Sequence, residues 1–574
     1  MNYSRVSSAQ EIPSTSIIGF DIETSPKKKY IRQGWSPPPD PRLVNVAMAQ
    51  VAVGSNVYLL LDNFESLKSL LEDKRVKKVI HNASFEYRHM LYHYGIRIKN
   101  FVDTMLLEGI YEAGRKPDLD LDSVAFKHVG VHLAKKTRNR FIDGEPVDES
   151  MMHYGAKDAW VMPRLYSAMT SQPMYEGMEQ VVKLETELVP AFADIELRGF
   201  MLDAEKWRPL AVQIEAEYEK VRDDLLRSLP SKLRQMTMFG EAQSTVKLNS
   251  RENMLKVFSD AGVDLLDLKR STVAEYVEKH PHPLLIKYTK YTKLQKAKST
   301  YGFAFLNHIN PVTGRVHQSV MQLNARTGRL SGRDPNLMNI PKESKYRSCF
   351  RAGHGNALVW GDYSQQEMGV LAECSGDKNL IRGFESGLDI HVYTARLVFH
   401  DNTIDREDKK RRDAAKNIAY GLMYGMGVRK LSVSLKTSQS EAQTYWDAFV
   451  EAFPDAFAWG EGSIAFATAN GYVSTLLGRR RYLDTAGFDY GTQARNTPIQ
   501  GSAADMLKLA ILILWRKISL VNEVHDELVA ECRRDDAIEV AKMLRKGMMD
   551  AAAMLVKKVE IKVDTKTGVY WLKD

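Results

Sequence analysis

Apolar and polar positions follow two different periods along this chain. Short apolar, β-branched runs at Ser16–Glu23 and Leu43–Val53, bounded by polar residues and prolines, predict strands. Phe64–Asp73 and Ser150–Met169 carry apolar residues at the three-to-four spacing of helices. That alternation over residues 1–180 predicts a mixed α/β domain. Helical periodicity breaks at a proline in Ser171–Met178, the best place for a linker. Lys183 to Tyr301 is mostly helical in pattern, with lysines and tyrosines interleaved from Lys287 to Lys298. Beyond Gly302 the pattern mixes again. Ala357–Tyr363 reads as a buried strand running into a helix, Gln365–Cys374. Within Leu520–Cys532 two apolar runs flank His525-Asp526, the pattern of a hairpin with a two-residue turn.

Length and charge narrow the class. The 574 residues exceed one ordinary domain, and a hydrophobic share of 44% with 26% charged residues is that of a globular chain able to bury several cores. No internal repeat or low-complexity tract occurs. The net charge of +8, from 80 Lys and Arg against 72 Asp and Glu, suits a polyanionic partner and also serves as a solubility margin. Three scattered cysteines, Cys349, Cys374 and Cys532, form neither a disulfide framework nor a zinc spacing, which points to a reducing intracellular setting. The first residues lack a signal-peptide core, and no run of about 18 apolar residues predicts a membrane span.

Three segments carry chemistry. Asp362 falls at the end of a predicted strand and Asp526 at a predicted turn tip. Two such aspartates can hold a pair of divalent ions for phosphoryl transfer; each also has an ordinary reading, as a helix cap and as a turn residue. In the segment Arg411–Gly425, Arg412, Lys416, Tyr420 and Tyr424 recur every four residues and so share one helix face. Two cations followed by two rings can grip a triphosphate and stack on a base or sugar. An amphipathic helix with a solvated basic end and a buried aromatic end has the same pattern. Gly421 and Gly425 beside the rings allow close approach.

In order, these segments resemble the family A DNA polymerases. Asp362-Tyr363-Ser364-Gln365 with Glu367 is similar to the first palm motif, Arg412 to Gly425 to the fingers-helix motif, and Val524-His525-Asp526-Glu527 to the second palm motif. Thr327-Gly328-Arg329-Leu330-Ser331, Pro335-Asn336-Leu337 with Asn339-Ile340-Pro341, and Asn496 to Gly501 also fit the family. The resemblance implies a right-hand polymerase domain that extends a primer on a template by two-metal nucleotidyl transfer. It makes Asp362, Asp526 and the Tyr363 carbonyl metal ligands, Arg412, Lys416 and His391 phosphate-facing residues, and Lys416 an acid toward pyrophosphate. Tyr420 and Tyr424 would meet the nucleotide, and Glu367 would exclude a ribose 2′-hydroxyl. Arg329, Asn496, Gln500 and His525 would contact primer or template. Ser364 and Glu367 also form a capping-box pattern at a helix start. Tyr420 stands where many relatives have Phe and some phage enzymes have Tyr, so little discrimination against dideoxynucleotides is expected. Gln366 and Gly369 depart from the first palm motif, and Thr492 stands where bacterial relatives often have Arg, with Arg495 nearby.

A second centre is expected near the N-terminus. Asp21 and Glu23, two apart on a strand, share a face, and Tyr154 and Asp158 are helix neighbours. Both spacings also fit a solvated strand edge and ordinary helix packing. In order they resemble the DEDDy 3′–5′ exonucleases, an RNase H-like fold in which Asp21, Glu23 and Asp158 bind metal and Tyr154 orients the attacking water. The middle motif, Asn82 to Glu86, ends in Glu where the family has Asp. Glu86 keeps the charge and can ligate a hard cation, so an active proofreading nuclease is expected; a silenced nuclease is the alternative. Asp103 is family-like without a catalytic assignment.

The resemblance sets the remaining expectations. The fold class is α/β and α+β multidomain: an exonuclease domain at 1–180 and a polymerase domain at 181–574, with the thumb near 202–305, the palm near 306–375 and 496–574, and the fingers near 376–495. Each centre would take two Mg²⁺, with Mn²⁺ as a substitute. Partners would be primer–template DNA, dNTPs and replisome proteins such as a helicase-primase and a single-strand binding protein. The chain would act as a monomer without a membrane, in the cytoplasm of a phage-infected bacterium. The exonuclease motif begins at Asp21, which leaves no 5′-nuclease domain expected ahead of it. A single-subunit RNA polymerase and a non-catalytic DNA-binding replisome protein are the readings from other classes; Glu367 opposes the first, and intact Asp362 and Asp526 the second.

Overall fold

The computed structural model describes all residues except 31–39, 134–136, 230–233, 237–241, 245–246, 424, 488 and 573–574. Its contacts divide the chain into two compact units. The first comprises Met1–Gly199, Gln318–Asn339 and His354–Gly568; the second comprises Phe200–His317, Ile340–Gly353 and Val569–Asp574.

The first unit holds a six-stranded and a four-stranded sheet beside two short two-stranded ones. The N-terminal sheet has six strands in the order Asn2–Arg5, Asn56–Leu60, Val44–Val53, Ile17–Pro26, Lys77–Ile80, Phe101–Asp103. Its two long strands lie where the alternation predicted them. The helix expected over Phe64–Asp73 is instead a 3-10 turn, Phe64–Leu67, that continues for one α turn, Lys68–Leu71. The helix Glu149–Thr170 packs across Ile17–Pro26 and Val44–Val53. Ser171–Met178 is not a loose linker: Tyr175 and Met178 are buried and seat the turn between Glu149–Thr170 and Glu179–Arg198.

The second sheet runs Leu520–Val524, Glu527–Arg533, Asn356–Tyr363, Val563–Gly568, all antiparallel. Helices Tyr490–Leu514 and Ala537–Leu555 pack together beside it, and Ala537–Leu555 covers Asn356–Tyr363. Tyr490–Leu514 is long and apolar enough to cross a bilayer by composition, yet 83% of its apolar window is buried, as in a core helix. A balanced ionic cluster locks it to Glu179–Arg198: Arg479 pairs with Asp505 at 2.6 Å and with Glu185, and Lys508 pairs with Glu185, all four fully or nearly fully buried.

In the second unit the helices Ala204–Ser228 and Pro283–Tyr301 pack side by side. The lysine–tyrosine interleaving resolves into two faces. Tyr288 and Tyr291 are core, while Lys287 and Lys298 pair with Asp224 and Glu215 of the neighbouring helix at 2.8 and 2.6 Å. Lys290, Lys293 and Lys296 remain exposed. A three-stranded sheet, Arg315–Val316, Phe200–Leu202 and Phe350–Arg351, closes this unit around Trp207, Phe305 and Trp571.

Candidate active sites

Backbone register builds the C-terminal site. Asp362 stands opposite Glu527 on one side and Asp564 on the other. Val524 pairs with Glu527, which leaves His525-Asp526 as the predicted two-residue turn, with His525 at φ +58°. The Tyr363 N–H donates to the Asp526 carbonyl at 3.1 Å, so the turn is pinned to the end of the strand that carries Asp362. Tyr363 is itself fixed: its ring is buried and its hydroxyl donates to the Met548 carbonyl at 2.8 Å.

The capping box expected at Ser364 and Glu367 does not form. Gln365, at φ +59°, is the residue that enters the helix Gln366–Ser375, and no side chain caps it. The Ser364 hydroxyl donates instead to Asp564 at 2.7 Å, and Glu367 accepts from Arg329 at 2.6 Å. A left-handed Gln365 turns Ser364 away from the helix N–H groups, which the sequence pattern does not reveal.

The helix Lys409–Met423 carries Arg412, Lys416 and Tyr420 as the four-residue spacing predicted; Tyr424 lies outside the described residues. Arg412 pairs at 2.7 Å with Asp389, which caps the helix Ile390–Val398 through the N–H groups of His391 and Val392. His391 and Tyr420 have ring centroids 5.8 Å apart, and the Lys416 ammonium lies 5.9 Å from the Tyr420 ring. Burial, reinforced by Lys416 and Arg412, pulls the His391 pKa down to about 4, so the imidazole is neutral at pH 7. Burial and then the charges of Glu367 and Asp526 push the Tyr420 hydroxyl pKa up. Asn496 and Gln500 lie one turn apart, half-buried, on Tyr490–Leu514, and His525 is exposed at the turn. Arg495 is engaged by Glu461.

Helix-on-sheet packing builds the N-terminal site. Asp21 and Glu23 project from Ile17–Pro26 toward Asp158 of Glu149–Thr170, and one carboxylate oxygen of each lies within 4.8 Å of the others. Burial first, then mutual repulsion, raises the pKa of Asp21 and Glu23 well above the usual range. Burial raises that of Asp158 to about 7, against the lowering influence of Tyr154 and Arg138. Three hard oxygen donors this close together fit a divalent cation. Glu86, buried on Ala83–Tyr94, is not one of the three, though burial and then the charge of Asp21 raise its pKa, and its Oε2 has no hydrogen-bond partner. Asp103 accepts from the N–H groups of Asn82, Ala83, Met105 and Leu106, a purely structural set.

The sequence reading missed several neighbours. Arg138, whose charge favours ionised Asp21, Glu23 and Asp158, sits in a basic run with nothing to mark it. Gln50, fully buried opposite Asp21, and Asp564, opposite Asp362, lie far from the motifs in sequence.

Comparison with known proteins identifies both regions. Residues 217–573 match the family model "DNA polymerase family A", and residues 6–173 match "3'-5' exonuclease". The chain belongs to DNA polymerase family A. The exonuclease match spans Asp21, Glu23, Glu86, Tyr154 and Asp158, and the polymerase match spans Arg329 to Asp526. Among relatives of this family A chain, thermostable DNA polymerase I of Thermus aquaticus is 35% identical over 427 residues, covering 69% of this chain and 49% of that protein. DNA polymerase I of Rhizobium leguminosarum is 30% identical over 562 residues, covering 90% and 53%. The chain therefore spans about half the length of the curated relatives it matches. A solved polymerase domain of Pol1 from M. smegmatis, described in complex with DNA primer-template and dNTP, superposes with a TM-score of 0.79 over 97% of this chain and 96% of that one; at 23% identity this shows the fold.

Proposed function

We propose that the chain is a DNA-directed DNA polymerase with a 3′–5′ exonuclease, acting on primer–template DNA and dNTPs. The observation that carries this reading is the convergence at the second sheet: Asp362 and Asp526 on adjoining strand ends, with Tyr420 of the helix Lys409–Met423 close enough to feel Asp526 and Glu367. Magnesium ions, two per centre, would be held by Asp362, Asp526 and the Tyr363 carbonyl, and by Asp21, Glu23, Asp158 and Glu86, and would supply activation of the attacking oxygen and stabilisation of the leaving one; manganese is the natural substitute.

The chain's own residues do the rest. Arg412 and Lys416 bind the triphosphate, and Lys416 donates a proton to the departing pyrophosphate. Neutral His391 offers an N–H to a phosphate oxygen without adding charge. Glu367, paired with Arg329, stands where a 2′-hydroxyl would intrude. Arg329, Asn496, Gln500 and His525 orient the primer terminus. In the exonuclease centre Tyr154 orients the attacking water. The motif order supports reading residues near 202–305 as the thumb, 306–375 and 496–574 as the palm, and 376–495 as the fingers. The finer part of the proposal, monomeric replication with helicase-primase and single-strand binding partners in a phage-infected bacterium, rests on Tyr420, which some phage members of the family carry.

The test uses a 5′-labelled primer on a longer template with Mg²⁺, with and without dNTPs. Asp526→Ala is expected to lose extension and keep shortening; Asp21→Ala is expected to do the reverse. Extension without shortening in the wild type favours a silenced nuclease, a reading supported by Glu86 standing outside the triad. No extension at all favours a non-catalytic DNA-binding protein.

A further inference from the structure

Along the strand Val44–Val53, Met48, Gln50 and Ala52 are two apart and so share one face of the sheet, the face under the helix Glu149–Thr170. Met48 and Ala52 are apolar and fully buried, packed with Met152, Ala156 and Ala159 of that helix. Gln50 is as deeply buried and is the polar member of the row. Neither Nε2 nor Oε1 of its amide has a hydrogen-bond partner. Burying an amide in this way is unfavourable, and an apolar side chain would suit the row better.

The surroundings of Gln50 belong to the acidic triad. Gln50 pairs in register with Asp21 on the adjoining strand, so the two side chains leave the sheet side by side. Gly155 of the helix lies over the amide: a Cβ there would stand 2.5 Å from Gln50 Nε2 and 2.6 Å from Met48 Cε. Only a glycine leaves the amide its place beside the helix backbone. Asp158, three residues on from Gly155, lies on the same helix face. The Tyr154 hydroxyl donates to Asp158, yet the Asp158 Oδ1 is buried with no partner. One seam between helix and strand therefore buries an unsatisfied donor and an unsatisfied acceptor, and the acceptor is a triad oxygen.

We propose that Gln50 is a positioning residue of the N-terminal centre, whose amide N–H groups hold the outer oxygens of Asp21 and Asp158 and keep the inner ones aimed at a divalent cation. The proposal rests on the reading of this centre as a metal-dependent exonuclease and adds to it a residue that is not a carboxylate. A carboxyl that keeps its proton accepts a hydrogen bond weakly, whereas a carboxylate accepts strongly, so the amide gains its partners as the triad ionises. Hydrogen bonds to ligating side chains govern about 10–100-fold in metal affinity. Gly155 serves the same arrangement by leaving room for the amide.

The experiment follows Mn²⁺ binding by EPR in the whole chain carrying Asp362→Ala and Asp526→Ala, so that the remaining binding reports the N-terminal centre. Asp21→Ala in the same background sets the level without the triad. Gln50→Met keeps a flexible side chain of similar length and removes the amide. It is expected to weaken Mn²⁺ binding about tenfold or more. The Tm of the metal-free protein should hold or rise, because an unpartnered buried amide is gone. With Asp362 and Asp526 restored, excision by Gln50→Met should fall at limiting Mn²⁺ and recover when Mn²⁺ is raised about tenfold. An affinity within about twofold of the parent makes Gln50 a packing residue and overturns the proposal, whatever the Tm does. If Gln50→Met does not fold, Gly155→Ala, which crowds the amide without removing it, is judged by the same affinity criterion. Failure of both to fold makes the seam structural and also overturns the proposal. An isotherm that Asp21→Ala leaves unchanged is a separate failure, that of the metal-site reading underneath.

Discussion

In the N-terminal sheet three carboxylates from a strand and a crossing helix meet within 4.8 Å, whereas in the C-terminal sheet the aspartates are set by strand register and a single N–H to carbonyl bond between Tyr363 and Asp526. The first arrangement stores repulsion: Asp21, Glu23 and Asp158 all hold their protons more tightly than free carboxyls do. The second spreads its charge, with Arg329 on Glu367 and Arg412 on Asp389 nearby. The difference teaches where each site takes its order. A divalent cation would relieve the repulsion among carboxylates this close without their taking up protons. The strand-end site is ordered by the sheet, through strand register and the Tyr363 N–H to Asp526 carbonyl bond.

The comparison can be broken at its sharpest point with Tyr420→Phe. Loss of that hydroxyl removes a donor next to the strand-end carboxylates and is expected to raise discrimination against dideoxynucleotides from near unity to about a thousandfold, roughly 4 kcal/mol, with exonuclease rates unchanged. Incorporation assays with paired dNTP and ddNTP decide it; strong discrimination already present in the wild type ends the assignment. Next comes the scaffold that the strand-end site depends on. Glu185→Ala leaves Lys508 and Arg479 buried with one carboxylate between them and should cost about 3–5 kcal/mol in denaturant unfolding. A loss below about 1 kcal/mol would show the cluster to be dispensable.

A pH dependence distinguishes the two sheets further. Glu523, buried three residues before Asp526, accepts from Gln318, and burial with Glu196 nearby raises its pKa from 4.5 to about 8. Below about pH 4.5 the carboxyl is protonated folded or unfolded and costs nothing. As pH rises the unfolded chain ionises first, so stability falls until about pH 8, where the folded form ionises too. Glu523→Gln should abolish this fall and stabilise the protein by about 3 kcal/mol at pH 7.5, with no gain at pH 4.5. Unfolding curves at the two pH values check it; an equal change at both would remove titration as the cause. The smallest expected effect is at Glu86. Glu86→Asp shortens the side chain by one methylene, draws the carboxylate back from Asp21, and should change the excision rate by about tenfold or less without touching extension. A change in extension would contradict the separation of the two sites.

Much of both sites is legible in the chain itself. Strand and helix periods place Asp21 with Glu23, Tyr154 with Asp158, and Arg412 with Lys416 and Tyr420, because spacing along a regular backbone fixes which side chains share a face. The hairpin around His525-Asp526 was equally readable, since two apolar runs separated by two residues leave one short turn. The capping box at Ser364 was misread for a reason of the same kind: the pattern assumes ordinary backbone at the helix entry, and Gln365 is left-handed. In the lysine–tyrosine stretch, interleaving in sequence is not interleaving in space on a helix: Tyr288 and Tyr291 turn inward while Lys290, Lys293 and Lys296 stay exposed.

By itself, then, the sequence determined the long strands and helices, the family and the residues that face the same way on each element, all of which depend on local periodicity and on motifs in order. Only the tertiary structure decided which elements meet: that Arg412 reaches Asp389, that Ser364 reaches Asp564, that Arg138 bears on the acidic triad, and that Lys116 and Arg326, more than two hundred residues apart, line one pocket. Such pairings are set by packing between distant segments, and no single spacing in the chain encodes them.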